Sequence, residues 1–213
     1  MSTRTIVHLM RHGEVHNPEG VLYGRLPGYH LSDRGRRMAD LVADSLADRD
    51  ITRIISSPLE RAQETAAPIA ARHELEIAID VRLIEAGNHF EGMTFGVGDG
   101  SLRHPGHWPK LINPFRPSWG EPYEQIAARM LAVVDRARAE ARGHEAVLVS
   151  HQSPVWIARL KLEGRRLWHD PRKRQCSLAS LTSLTYDDDR LVSIEFSEPA
   201  ASLLPGASHI AGA

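Results

Sequence analysis

The feature that most constrains the fold of this chain is a short apolar run that ends abruptly in charged residues. Four of residues 6–10, IVHLM, are apolar and two of these are β-branched, which is typical of a buried strand. Arg11 and His12 follow directly, and Gly13 permits a sharp turn or a close backbone approach. Ligands bind beyond the carboxyl ends of strands in open α/β sheets, so Arg11 and His12 are candidates for contact with an anion.

Two further stretches repeat this arrangement. Residues 146–150, AVLVS, form another apolar run, which is followed by His151 and Gln152. Residues 54–58, IISSP, lead from a third predicted strand into a helix that carries Arg61 in its first turn. The amides and the dipole at a helix N-terminus favour a phosphate, so Arg61 joins the candidate anion site.

The hydrophobic pattern alternates between strand and helix along most of the chain. Helical periodicity covers residues 33–47, with Ser32 as the predicted N-cap, and then residues 59–72, about 122–143 and 154–162. Strands are predicted at 51–55, 76–79 and 146–150, and a hairpin at 177–186 and 191–196. A parallel sheet needs helices on both faces. We therefore predict an α/β fold, a three-layer α/β/α sandwich with a mostly parallel sheet and an antiparallel edge.

The domain organisation is expected to be simple. Residues 1–198 are predicted to form a single domain, because no Pro/Gly/Ser linker divides them. Residues 87–120, rich in glycine, proline and aromatic residues, are predicted to be a lid-like insertion. Residues 199–213, rich in alanine, serine and glycine, are predicted to be a flexible C-terminal tail.

Charge and composition narrow the possible partners and the compartment. The net charge of −1 over 213 residues gives no bulk attraction to nucleic acid or to an anionic membrane. Cys176 is the single cysteine, so no internal disulfide can form, in agreement with a cytoplasmic location. No apolar run approaches the roughly 18 residues of a membrane span, and the first residues do not match a signal peptide.

Three motifs resemble those of one known family. Residues 11–14, RHGE, match its R-H-G-E motif, and residues 56–65, SSPLERAQET, resemble its S-S-P-x-x-R-A-x-x-T motif. Ser150 and His151 stand where its second histidine follows a strand. The chain thus resembles the histidine phosphatase superfamily, also called phosphoglycerate-mutase-like, over roughly its first 160 residues.

The resemblance implies further site residues. Residues 82–85, RLIE, resemble the family's R-L-x-E, so that Glu85 matches its proton-donor glutamate. Residues 23–25 and 31–35 resemble a conserved loop region of the family, which makes Gly24 a candidate substrate-binding residue. Asn17 follows His12 by five residues where the family usually has a spacing of six, and Gln152 stands where the family commonly has glycine. The substrate-binding candidates are therefore Arg11, Arg61, Asn17, Gly24 and Gln152.

Cleavage of a phosphate ester needs a nucleophile, positive charge around the phosphoryl oxygens and an acid for the leaving group. We assign His12 as the nucleophile that forms a phosphohistidine, and Arg11 and Arg61 as phosphoryl ligands. His151 is a further donor, and Glu85 is the general acid. The predicted enzyme is a phosphatase for a small phosphorylated metabolite that needs neither a metal nor another cofactor.

Several alternatives remain open from the sequence. A cofactor-dependent phosphoglycerate mutase is the main competing enzyme, although residues 85–89, EAGNH, differ from the family's mutase stretch E-R-H-Y-G. A phosphate-binding module without catalysis is the competitor from another class. An N-cap role for Ser56 or Ser57 competes with substrate contact by Ser57.

Two weaker patterns are assigned ordinary roles. The histidine pairs at 12 and 16 and at 104 and 107 lack further zinc ligands at suitable spacing. The basic and aromatic run at residues 165–174, RRLWHDPRKR, is interpreted as a solvated loop, or one that helps to hold an anionic substrate, rather than as a nucleic-acid site. An exposed hairpin edge would be one place to form a homodimer.

Overall fold

A computed structural model describes residues 3–94, 103–106, 108 and 120–207 of the chain. Within these residues six strands form one sheet in the order β3-β2-β4-β1-β5-β6. The four parallel strands are β1 (Arg4–Arg11), β2 (Ile51–Ser56), β3 (Ile77–Ile79) and β4 (Glu145–Ser150). The antiparallel edge consists of β5 (Leu181–Asp187) and β6 (Arg190–Ser197).

Helices cover both faces of the sheet. Helices α1 (Asp33–Ser45) and α2 (Glu60–His73) pack on one face, and α3 (Tyr123–Glu140) and α4 (Gln152–Leu162) pack on the other. Alternate residues of β4 supply the two cores, because successive side chains of a strand point to opposite faces. Val147 and Val149 pack with α1 and α2, whereas Ala146 and Leu148 pack with α3 and α4. The predicted three-layer α/β/α fold is confirmed.

The first helix is capped as the sequence predicts, but the second is not. The Ser32 hydroxyl accepts a hydrogen bond from the Gly35 amide at 3.0 Å, which satisfies one free donor of α1. The N-cap of α2 is Leu59, without a side-chain cap, so the N-cap role predicted for Ser56 or Ser57 is wrong. Both hydroxyls are fully buried, and that of Ser57 lies against His151 instead.

Two element boundaries differ from the prediction. Helix α4 begins at Gln152 rather than Pro154, since a proline is tolerated within the first turn, where the amides need no helical partner. Strand β5 begins at Leu181 rather than Ser177. Residues 177–180 form a turn in which Ala179 has a φ of 53° and the Ser180 amide donates to the Ser177 carbonyl.

The C-terminal residues that the structure describes pack against the core. Ala200 is buried, and Leu203, Leu204 and Ala207 pack against the cluster formed with α1 and α2. The prediction of a flexible tail is therefore corrected for residues 199–207, because apolar side chains among the small residues find a surface to cover. Residues 208–213 lie outside the described residues.

The predicted lid-like insertion falls mostly outside the described residues, which include only 87–94, 103–106, 108 and 120 of it. The hairpin does lie at the sheet edge, with β6 outermost. Homodimer formation along that edge stays a prediction. None of the described helices is long and apolar enough to cross a membrane.

Candidate active site

The sheet topology brings the ends of three parallel strands together. In the strand register Arg11 lies beside Ser150, and Ser56 lies beside Val149. The residues that follow these strands, His12, Ser57 and His151, therefore meet at the same edge of the sheet. Strand β5 runs in the opposite direction, so the segment before it arrives at this edge as well.

His12 is fully buried and has one nitrogen without a partner. Its Nδ1 lies 2.8 Å from the Gly13 carbonyl oxygen, which can only accept, so Nδ1 carries the proton. Nε2 keeps its lone pair and has no hydrogen-bond partner among the described residues. Burial, followed by the charges of Arg61 and Arg11, lowers the pKa of His12 well below its ordinary value. The ring is therefore neutral and can act as a nucleophile through Nε2.

Glycines hold the turn after His12 against the start of α1. A Cβ on Gly13 would lie 2.6 Å from the Gly35 carbonyl oxygen, and a Cβ on Gly35 would lie 2.0 Å from that of Glu14. The Gly13 amide donates to the Thr65 hydroxyl of α2 at 3.1 Å. Gly13 thus permits the close backbone approach that the sequence suggests.

His151 lies against His12, with 5.1 Å between the ring centroids. Its Nε2 lies 2.7 Å from the Ser57 hydroxyl, and its Nδ1 has no partner in the described part of the chain. Burial and then the positive charge of Arg61 lower the pKa of His151 well below its ordinary value, with a smaller contribution from His12. This ring is therefore neutral too, and Ser57 fixes its orientation.

Two buried guanidinium groups lie beside the histidines. Arg61 donates through Nη2 to the Gly24 carbonyl and lies over the Tyr23 ring, 4.7 Å from its centroid. Arg11 donates through Nη1 to the Cys176 carbonyl at 2.8 Å. These contacts hold each guanidinium in place and use only part of its hydrogen-bonding capacity.

Glu85 is almost fully buried at the same site. One carboxyl oxygen accepts from the Ala86 amide at 2.7 Å, while Oε2 has no partner among the residues described. Burial raises the pKa of Glu85, and the Ala86 amide and the positive charges of Arg61, Arg174 and Arg11 oppose that rise only in part. A carboxyl with a raised pKa can keep a proton to donate.

The unpartnered buried atoms are concentrated here. Five residues carry them: Arg11 at Nε, His12 at Nε2, Arg61 at Nε and Nη1, Glu85 at Oε2 and His151 at Nδ1. An unsatisfied buried polar group costs about 1–3 kcal/mol, so such a concentration indicates a site that a polar ligand completes. Arg11 and Arg61 contribute cationic donor groups, which suit an anion.

The remaining predicted residues have defined contacts. The Asn17 amide donates to the Val21 carbonyl at 2.8 Å and accepts from its amide at 3.1 Å, so it braces its own loop. Gly24 has a φ of 39° and presents its carbonyl to Arg61. Gln152 lies between Cys176 and Arg174, with 3.4 Å to each partner atom. Substrate contact by Asn17, Gly24 and Gln152 stays a prediction.

Sequence reasoning missed several neighbours of the site. Arg25 donates to the Glu85 carbonyl at 2.7 Å and shares the Glu121 carboxylate with Arg129. Tyr23 and Arg25 lie within the loop whose resemblance singled out Gly24, which is the one signal that could have found them. No local signal connects Arg129 with the site, because only the packing of α3 brings it there.

No group of three histidine, cysteine or acidic side chains placed to hold a metal occurs in residues 3–94, 103–106, 108 and 120–207. His107, one of the four histidines considered for zinc, lies outside those ranges.

Comparison with known proteins agrees with this geometry. A family model described as the histidine phosphatase superfamily (branch 1) matches residues 7–198. The chain belongs to this superfamily. It is 63% identical over 201 residues to the uncharacterized protein Rv0525 of Mycobacterium tuberculosis, which covers 94% of this chain and 100% of that protein.

Two phosphatases are among the more distant relatives of the chain. Phosphoserine phosphatase 1 of Hydrogenobacter thermophilus is 30% identical over 75% of this chain and 78% of its own length. The structure of a mycobacterial glucosyl-3-phosphoglycerate phosphatase, Rv2419c, in complex with VO3 superposes with a TM-score of 0.70 at 26% identity, covering 92% of this chain and 96% of that one. The relatives of the chain thus include phosphatases of this superfamily.

Proposed function

We propose that the protein is a metal-independent phosphatase that hydrolyses a small phosphorylated metabolite through a phosphohistidine at His12. The observation that carries the proposal is the state of the His12 ring, whose Nδ1 proton is held by Gly13 while Nε2 is free, buried and neutral. The partly satisfied guanidinium groups of Arg11 and Arg61 and the carboxyl of Glu85, whose pKa burial raises, supply the other groups that the reaction needs.

In the first step His12 Nε2 attacks phosphorus, and the bond from phosphorus to the ester oxygen breaks. Arg11 and Arg61 hold the phosphoryl oxygens, and His151 donates through Nδ1 when the Ser57 hydroxyl donates to its Nε2. Glu85 transfers its proton from Oε2 to the leaving oxygen. The phosphorylated ring is cationic, because its proton remains on Nδ1, where it is hydrogen-bonded to the Gly13 carbonyl oxygen.

In the second step water attacks phosphorus and the bond to His12 Nε2 breaks. Glu85, now a carboxylate, accepts the water proton and returns to its starting state. Inorganic phosphate leaves with the alcohol already released. Neither step requires a metal or another cofactor, because the protein supplies the positive charge itself.

The test is phosphate release from 4-nitrophenyl phosphate in EDTA by wild type, His12→Ala and His16→Ala. His16 is exposed close to His12 in sequence and serves as the matched control. We expect chelator-resistant turnover that falls by on the order of 10³-fold or more in His12→Ala and is unchanged in His16→Ala. Quenching wild type during turnover in alkaline SDS should trap phosphate on the protein, and later treatment with acid should release it.

Two results would contradict the proposal. Turnover abolished by EDTA would mean that a metal is required. Full activity of His12→Ala would show that His12 is not the nucleophile. The mutase alternative is tested with 3-phosphoglycerate primed by its bisphosphate, since a mutase must protect its phosphoenzyme from water. Isomerisation that outpaces phosphate release would replace hydrolysis as the function.

A cytoplasmic location belongs to the same proposal. Cys176 is a buried free thiol beside the site, and a reducing compartment would keep it so. Fractionation of cells that express the protein tests this, and recovery of the activity outside the cytoplasm would contradict it.

A further inference from the structure

The last residue of the basic run at 165–174 reaches the candidate site. Strand β5 is antiparallel to β1, so the segment that precedes it ends beside the carboxyl end of β1, where the Arg11 amide donates to the Ser180 carbonyl at 3.2 Å. A cleft of about 430 Å³ opens there, and Arg11, Gln152 and Arg174 line it. The cleft therefore adjoins the phosphate site through Arg11.

Arg174 is held rigidly on its outer side. Its Nε donates to His169 Nε2 at 2.9 Å, and His169 donates through Nδ1 to the Leu167 carbonyl at 2.7 Å. Burial and then the Arg174 charge lower the pKa of His169 to about 4, so this ring stays neutral and accepts. The Tyr123 and Trp156 rings flank His169, with centroids 5.5 Å and 6.1 Å away.

On its inner side Arg174 is linked to Arg11. Arg174 Nη1 lies 3.4 Å from Gln152 Oε1, and Gln152 Nε2 lies 3.4 Å from the Cys176 carbonyl oxygen. The same carbonyl accepts from Arg11 at 2.8 Å. The guanidinium groups of Arg174 and Arg11 are thereby joined through one chain of hydrogen bonds, and both line the cleft.

The positive charge around Glu85 exceeds what a phosphate monoester can neutralise. The positive charges of Arg61, Arg174 and Arg11 all lower the pKa of Glu85, and Arg174 lowers it more than Arg11 does. Among the described residues no carboxylate forms an ion pair with any of these three guanidinium groups. A bound phosphate dianion compensates at most two of the three charges, which leaves one charge for a further anionic group.

We propose that Arg174 binds a carboxylate of the substrate, so that the substrate class is phosphorylated carboxylic acids. This inference rests on the proposed phosphatase function. A carboxylate carries the single charge that the count requires, and its two oxygens match the planar fork of a guanidinium. The hydrogen bonds to His169 and Gln152 leave Nη2 of Arg174 for the ligand.

The test uses two probes that differ at one carbon, 3-phosphoglycerate with a carboxylate and glycerol 1-phosphate with a hydroxymethyl group. Wild type is expected to prefer 3-phosphoglycerate in kcat/KM by about 10-fold or more, because a hydrogen bond to a charged group contributes about 1.5–3 kcal/mol. Arg174→Gln should lower kcat/KM for 3-phosphoglycerate by about 10- to 100-fold, mainly through KM, and that for glycerol 1-phosphate by less than about 3-fold.

Two further variants define the role of the side chain. Arg166→Gln removes an exposed charge from the same run and should leave kcat/KM unchanged for both probes. Arg174→Lys keeps the charge and loses the fork, so its effect should lie between wild type and Arg174→Gln. Equal losses on both probes in Arg174→Gln would overturn the proposal, as would a wild type that does not discriminate between them.

Calorimetric binding of both probes separates this inference from the proposed function. If 3-phosphoglycerate binds more tightly than glycerol 1-phosphate and Arg174→Gln removes the difference, the carboxylate site stands even if no probe is hydrolysed. If wild type hydrolyses both probes, but wild type and Arg174→Gln each bind the two probes with equal affinity, the phosphatase function stands and the assignment of Arg174 falls.

Discussion

Strand β1 carries one buried histidine in its middle, His8, and is followed by another, His12, and the two side chains are satisfied in opposite ways. His8 has partners on both ring nitrogens, with the Ser183 hydroxyl 2.8 Å from Nδ1 and a Glu145 carboxylate oxygen 2.8 Å from Nε2. The other carboxylate oxygen of Glu145, Oε1, lies 2.8 Å from Nη2 of Arg49. His12 has a partner on Nδ1 only, and its Nε2 faces the candidate site.

The difference separates a structural histidine from a candidate catalytic one more clearly than residue type or burial does. Both rings are buried and lie four positions apart in the chain. Protein groups satisfy both ring nitrogens of His8, whereas Nε2 of His12 is left for a ligand to complete. The following predictions test this contrast, from the largest effect on activity to the smallest.

The largest of these effects is expected for Glu85→Gln. A glutamine cannot donate a proton to the leaving oxygen, so kcat for an alkyl phosphate should fall by about 10²- to 10⁴-fold. The loss on 4-nitrophenyl phosphate should be much smaller, because that leaving group needs little protonation. Equal losses on the two substrates in steady-state assays would remove Glu85 from the role of general acid.

Glu85 also predicts the pH dependence. Activity should fall as the pH rises through the raised pKa of Glu85, because the donor proton is lost, and this limb should be absent in Glu85→Gln. The raised pKa stabilises the folded state below the ordinary value of 4.5, and this stabilisation is lost as the pH rises through the folded value. At neutral pH the free energy of unfolding of Glu85→Gln should therefore equal or exceed that of wild type in urea titrations.

A moderate effect is expected for Ser57→Ala. The variant removes the partner that orients His151, and a misplaced donor should lower kcat by about 10-fold with a smaller change in KM. Ser57→Thr keeps the hydroxyl and should recover most of the rate. A Ser57→Ala enzyme with unchanged kcat would show that the contact positions nothing that the reaction uses.

The smallest effect on activity is expected for His8→Leu in the middle of the strand. The substitution leaves Glu145 and Ser183 each without one partner and should lower the free energy of unfolding by about 1–3 kcal/mol. Its kcat/KM should stay within about 2-fold of wild type. A large loss of activity with normal stability would erase the contrast between the two histidines.

The pair of His8 with Glu145 also predicts a dependence of stability on pH. Burial tends to raise the pKa of Glu145, but hydrogen bonds from His8 and Arg49 hold it below the ordinary value of 4.5. The resulting stabilisation is present above the unfolded value and is lost as the pH falls through the folded value. In acid titrations His8→Leu should lose less stability than wild type over this range.

The sequence predicted most of the fold because the deciding patterns are local. Apolar runs identified the four strands β1, β2, β3 and β4, and the Ser32 cap placed the start of α1. The predictions of a serine N-cap for α2 and of flexibility for residues 199–207 were wrong, since each feature depends on a partner that is distant in the chain. The Ser57 hydroxyl lies against His151, and Ala200 lies against a core that several elements build together.

For the candidate site, the residues and their motifs were available from the sequence, whereas their chemical states were not. Arg11, His12, Arg61 and His151 could be singled out because strand ends and a helix start mark them locally. Tertiary structure alone decided which nitrogen of His12 is free, how deeply Glu85 is buried and that Arg174 lies beside Arg11. The physical reason is that a pKa, a tautomer or an unpaired guanidinium depends on what surrounds a group in space. The antiparallel course of β5 supplies part of those surroundings from the far end of the chain.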